Sequence, residues 1–229
     1  MKQSQAKKRD NAMTNKILMG LIALVLGLLF LEILIVHSKN EQQKNASNQI
    51  QTARIMANGD LLYHDGLYMS ALQSDGSYDF TENFTYVKPW LQQADLVLGD
   101  FEGTINPDYP LSGYPLFNAP QSVAAAIKDA GYDVMDLAHN HILDSGLEGA
   151  FTTADAFKKV GIDPIGVYEK PVRDKAPLLI KNVNGIKVAI LSYAYGYNGL
   201  ESNLTDKEVA DHLSNLDEKR MKAEIQRAE

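Results

Sequence analysis

The sequence predicts an α/β fold with an apolar segment appended at its N-terminus, and three observations carry that reading. Short apolar runs, ARIMANGD (53–60), ADLVLGD (94–100) and YDVMDLAHN (132–140), each end in acidic, amide or imidazole side chains. Helical patterns fall between them. A later stretch, APLLIKNVNGIKVAILSYAYG (176–196), reads as two apolar strands joined by Asn184-Gly185, the pair favoured in a tight type I′ hairpin. Strands alternating with helices point to a layered, largely buried sheet, to which the hairpin adds an antiparallel pair.

Taken in order, residues 1–16 form a basic tail in which Lys2, Lys7, Lys8, Arg9 and Lys16 oppose Asp10. That tail carries +4 in a chain of net charge −7, so the remainder carries −11. Residues 17–36, ILMGLIALVLGLLFLEILIV, are apolar except for Glu32. At about 1.5 Å of rise per residue such a run spans a hydrocarbon core of about 30 Å. It is longer than the apolar region of a cleaved signal peptide and ends in IVHSKN, without a small-residue cleavage pattern. The reading is an uncleaved transmembrane signal anchor, with cleavage as the alternative, and with the basic tail cytoplasmic and the C-terminal body extracellular. Residues 37–51 are polar, lack aromatics and read as a flexible stalk.

The body comprises residues 52–229. Helices are predicted over 86–94, 120–131 and 146–161, with Pro120 at a start and Gly131 and Gly161 at stops. The charged stretch 205–229 reads as helical, with partial amphipathic spacing through Val209, Leu213, Leu216 and Met221. An acidic body argues against nucleic acid as the partner. With no cysteine in the chain, thiolate metal sites, disulfides and a cysteine nucleophile are excluded, and any metal must use oxygen and imidazole ligands.

In α/β sheets, ligands bind beyond the carboxyl ends of the strands. Here those ends carry NGDLLYHD (58–65), GDFEG (99–103) and HNHILD (139–144). The candidate metal ligands are therefore Asp60, His64, Asp100, Glu102, Asn140 and His141, with His141 and His139 as candidate catalytic groups that stabilise or protonate a leaving group. Carboxylate, amide oxygen and imidazole together suit divalent Mn, Fe or Zn, and two such ions can clamp a phosphoryl group. Asp144, before Ser145-Gly146, reads as the start of the following helix.

These motifs, with FNAPQSVAAAIKDAGYDVMDLAHNHILDSGLEGAFTTADAFKKVGIDPIGV (117–167), resemble the CapA family of poly-γ-glutamate capsule synthesis proteins, a branch of the calcineurin-like metallophosphatases. The resemblance runs from about Arg54 onward and implies a metallophosphatase-like sheet sandwich in which Asp60, Glu102, Asn140 and His141 match metal-site positions. The family usually has asparagine where this chain has Asp100 and His139. It also continues into histidine motifs of the kind HWGxE and GHxPH, so the resemblance implies that residues 52–229 are the N-terminal part of the domain and that its metal site lacks imidazoles. It further implies an anchored protein serving synthesis or export of a capsule polymer together with membrane subunits. The alternatives left open are an extracellular metal-dependent phosphoesterase and an inactive truncated fragment.

Overall fold

The computed structural model describes Met19, residues 27–40 and residues 50–229. The predicted basic tail, residues 17, 18 and 20–26 of the predicted span, and residues 41–49 of the predicted stalk lie outside the described residues. Residues 27–40 are helical, so the helix runs past the predicted end of the span at residue 36 and takes in the first four residues of the predicted stalk. Among the described residues no helix is long and apolar enough to cross a membrane. The chain divides into two units, Met1–Ile50 and Gln51–Glu229.

In the second unit, four parallel strands form a sheet in the order β1 (Ile55–Asp60), β2 (Leu96–Asp100), β3 (Val134–Asp136) and β4 (Asp163–Ile165). The central two read as short continuous apolar runs because parallel strands are covered on both faces. Between the strands lie α1 (Asp65–Ala71), α2 (Lys88–Leu91), α3 (Ser122–Ala130) and α4 (Gly146–Lys159). In α3 the spacing of Val123, Ala126, Ile127 and Ala130 turns one stripe inward. The helix ends at Gly131, whose φ of 114° is open to a residue without a Cβ. In α4 the corresponding stripe is Ala150, Thr153, Ala154 and Phe157.

Side-chain alternation gives the sheet two unlike faces. Val97, Phe101, Met135 and Leu137 join the helices in the main core, with Phe101 meeting Phe157 edge to face at 5.1 Å. Leu96, Val134 and Ile165 point the other way and meet Val183 in a separate small cluster. That cluster is closed by the antiparallel hairpin β5 (Leu179–Val183) and β6 (Ile186–Ile190). Its turn matches the sequence reading, since Asn184 and Gly185 have φ of 53° and 87°. The result is a mixed α/β body with helices, parallel sheet and hairpin in layers.

Several elements depart from the expectations. Strand β4 and helix α1 were not predicted, and α2 is a single turn. The predicted charged helix over 205–229 is two helices, α5 (Asp206–His212) and α6 (Glu218–Ala228). The break occurs because Leu213 is fully buried and the following residues hydrogen-bond in extended form to Ala194. Both new ends are capped. Thr205 and Glu208 form a capping box on α5, and Asp217 accepts from the Arg220 N–H on α6. Helix α6 is held by Glu224, which meets buried Arg173 at 3.4 Å and accepts from the Tyr193 hydroxyl at 2.6 Å.

Candidate functional site

Strand register assembles the site. Asp60 is the partner of Asp100 across β1 and β2, and Asp100 is the partner of Asp136 across β2 and β3. In-register residues on adjacent parallel strands share a face and lie about 4.8 Å apart. Three carboxylates therefore stand side by side at the C-terminal ends of three strands, on the hairpin face. Glu102 joins them from the loop after β2, where its backbone N–H donates to the Leu61 carbonyl.

Crowding acids on a half-buried surface raises their affinity for protons. Burial, then the charges of Asp136, Asp60 and Glu102, pushes the Asp100 carboxyl up to about 7. One of its oxygens is buried with no hydrogen-bond partner. Burial, followed by a side-chain hydrogen bond with Asp60, raises Glu102. Asp136 is also raised by burial, although the Ser192 hydroxyl and the Ala138 N–H both donate to it.

Opposite these acids stands His141. Its Nδ1 lies 2.7 Å from the Asp144 carboxylate, whose same oxygen accepts from the Phe117 N–H at 2.6 Å. With Nδ1 engaged by Asp144, the other ring nitrogen, Nε2, is the one on the Glu102 side, 3.9 Å from its carboxylate. Asp144 thus does not cap α4 as expected but orients this imidazole, and the residue in the N-cap position is Ser145. The His141 and Phe117 rings also meet edge to face, with centroids 4.8 Å apart. The Asn140 amide donates to the Asn198 side chain at 3.2 Å, and the Asn198 amide nitrogen lies 3.5 Å from both ring nitrogens of His141.

Two predicted residues do other work. His64 is half exposed and its Nδ1 accepts from the Asp65 N–H at 2.8 Å, which caps α1. It is a capping residue, where a ligand was expected. His139 is buried, and its Nδ1 accepts from the His141 N–H at 3.1 Å. Burial, with His141 second, holds its pKa down to about 3, so the ring is neutral. It supports the turn that carries His141.

Among the described residues, no group of three or more His, Asp or Glu side chains is arranged to hold a metal ion. The predicted six-residue set does not fit the expected dinuclear centre. His64 is a cap, and among the described residues His141 is the one imidazole facing the acids. What remains is a cluster of half-buried carboxylates, one of which, Asp100, has a buried oxygen without a partner.

A family model described as "Bacterial capsule synthesis protein PGA_cap" matches residues 54–229, nearly the whole body that carries these groups. The chain belongs to this capsule synthesis family. Among its relatives, the capsule biosynthesis protein CapA of Bacillus anthracis is 33% identical over 115 residues, covering 48% of this chain and 28% of that protein. The PGA biosynthesis protein CapA of Bacillus subtilis (strain 168) is 25% identical over 189 residues, covering 81% of this chain and 48% of that protein. The chain therefore spans less than half the length of either relative.

Sequence reasoning missed Asp136, Ser192 and Asn198. Asp136 obeys the same acid-at-strand-end pattern as Asp60 and Asp100. It escapes a reading of the sequence because the apolar pattern runs on toward His139, whereas β3 ends at Asp136. Asn198 precedes Gly199 in an Asn-Gly pair like that of the hairpin, and both residues take positive φ. The pair signals a turn; that the turn crosses Asn140 is visible only in three dimensions.

Proposed function

We propose that this chain is a membrane-anchored, CapA-like protein whose exported body serves the synthesis or export of a capsule polymer of the poly-γ-glutamate type, beside membrane-embedded synthesis and export subunits. The observation that carries the reading is the family match across residues 54–229. The long apolar run of residues 17–36 and the basic tail before it support anchoring with the body outside. Disrupting the gene in its source bacterium tests the role: capsule polymer at the cell surface falls, and returns on complementation. Unchanged capsule would overturn the reading. External protease should digest the body on intact cells, and a protected body would remove the localisation.

A second reading, an extracellular phosphoesterase, is favoured by the Asp144–His141 pair aimed at Glu102. In it, Asp60, Asp100 and Glu102 would have to close around a divalent cation, Mn, Fe or Zn, since as they stand they are not arranged to hold one. Asp144 would hold His141 in the tautomer whose Nε2 can exchange a proton with a bound oxygen. Metal analysis of the full chain, with hydrolysis of a generic phosphate ester followed in the same preparation, decides it. Stoichiometric metal and turnover lost in Asp100→Asn support the phosphoesterase, and absence of both sinks it.

A further inference from the structure

Beside the carboxylates, the segment after β6 folds over Asn140 and leaves an open cleft of about 710 Å³. Asn140, Asn198, Glu201 and Tyr195 give it its chemistry, with Tyr193 and Tyr197 in the wall. Asn198 has φ of 56°, a conformation that costs most side chains energy and that asparagine tolerates best. The strained turn sets the Asn198 carboxamide against that of Asn140. Tyr195, at the same cleft, is 99% exposed, the highest value among the aromatic rings of the body, ahead of Tyr86 at 89%. One oxygen of Glu201 is buried there without a hydrogen-bond partner.

Among the described residues no lysine or arginine lines this cleft, and the neighbouring acids raise negative potential beside it. A polyanion would enter without any pairing charge. Two carboxamides offer donor and acceptor together, and Glu201 accepts. An exposed tyrosine offers a flat apolar face beside them. Vicinal hydroxyls and acetamido groups on a ring with an apolar face satisfy all of these at once. A γ-linked acidic peptide, with one N–H per unit and a carboxylate on each, does not.

The geometry points to a binding site for an uncharged N-acetylated glycan chain, with Tyr195 as its stacking platform and Asn140, Asn198 and Glu201 as its hydrogen-bonding wall. This goes beyond the capsule reading and does not rest on it. The test is calorimetric titration of the full chain in detergent with the N-acetylglucosamine tetramer. Saturable binding is expected, weakened about fivefold or more in Tyr195→Ala and in Asn198→Ala, and unchanged in Tyr86→Ala, which removes an exposed tyrosine far from the cleft in sequence. Absence of saturable binding at millimolar tetramer overturns the assignment. So does binding indifferent to both cleft variants while each keeps the native melting temperature. Tighter binding of a γ-linked tetraglutamate, sensitive to the same two variants, would reassign the cleft to the acidic polymer and overturn the glycan.

Discussion

The two faces of the parallel sheet are built from the same strands and have opposite characters. On the helix face, Val97, Met135 and Leu137 are almost completely buried against Ile127 and Phe157, and no acid interrupts them. On the hairpin face, Leu96, Val134 and Ile165 form a small cluster, and further along the same strands β2 and β3 carry Asp100 and Asp136. Period-two alternation makes this possible, since a strand can hand one face to packing and the other to chemistry. The difference teaches where free energy for folding comes from and where it is withheld. The helix face stabilises, whereas the carboxyl end of the hairpin face gathers half-buried acids that repel one another.

The largest expected effect tests the stabilising face. Phe157 is fully buried and packs on Phe101, so Phe157→Ala should cost about 3–5 kcal/mol in chemical denaturation. A loss under about 1 kcal/mol would mean that the helix face is not the principal core.

Next come two titrations of opposite sign at the chemical end. His139 has a folded pKa of about 3 against an ordinary 6.5. The unfolded chain takes up the proton first as pH falls, so this group's contribution is fully present above pH 6.5 and is lost toward pH 3. Across that window the loss should be roughly 2–4 kcal/mol, and His139→Asn should flatten it. Asp100 runs the other way, because its folded pKa is raised to about 7. Its contribution is fully present below about pH 4 and is lost as pH rises through about 7. In chelator, Asp100→Asn should leave the melting temperature unchanged near pH 4 and raise it by about 2–5 °C at about pH 8. A variant less stable than the native chain in that alkaline range would show that the acid cluster is not a source of repulsion.

Much of this contrast could be read from the sequence, and the part that could not has physical causes. The apolar runs ending in Asp60 and Asp100, the helical stripes and the Asn184-Gly185 turn are local patterns, and local patterns survive in one dimension. Strand β4 did not, because a three-residue strand containing Pro164 has too little periodicity to register. His64 looked like a ligand because an imidazole near acids is ambiguous until its hydrogen bond to the Asp65 N–H fixes it as a cap. Asp144 looked like a cap until its bond to His141 showed it to be an orienting acid. In each case the residue type permits two roles, and only the partner across space decides between them.

The smallest effect is the most direct test that the two faces are separate. Asn184 holds φ of 53° at the hairpin turn, donates to the Thr52 carbonyl at 3.0 Å, and is followed by Gly185, whose N–H donates to Asn182 at 2.9 Å. Alanine lacks asparagine's tolerance for that conformation, so Asn184→Ala should cost about 1 kcal/mol, while Asn184→Gly should cost less. If the hairpin is a thin cover over one face, the loss is local. Amide exchange should quicken in β5 and β6, where the cover loosens, and stay unchanged in α3 and α4, whose protection comes from the other face. Exchange that quickened equally on both sides would mean that hairpin and sheet open as one unit, and the division of labour between the faces would be chemical only.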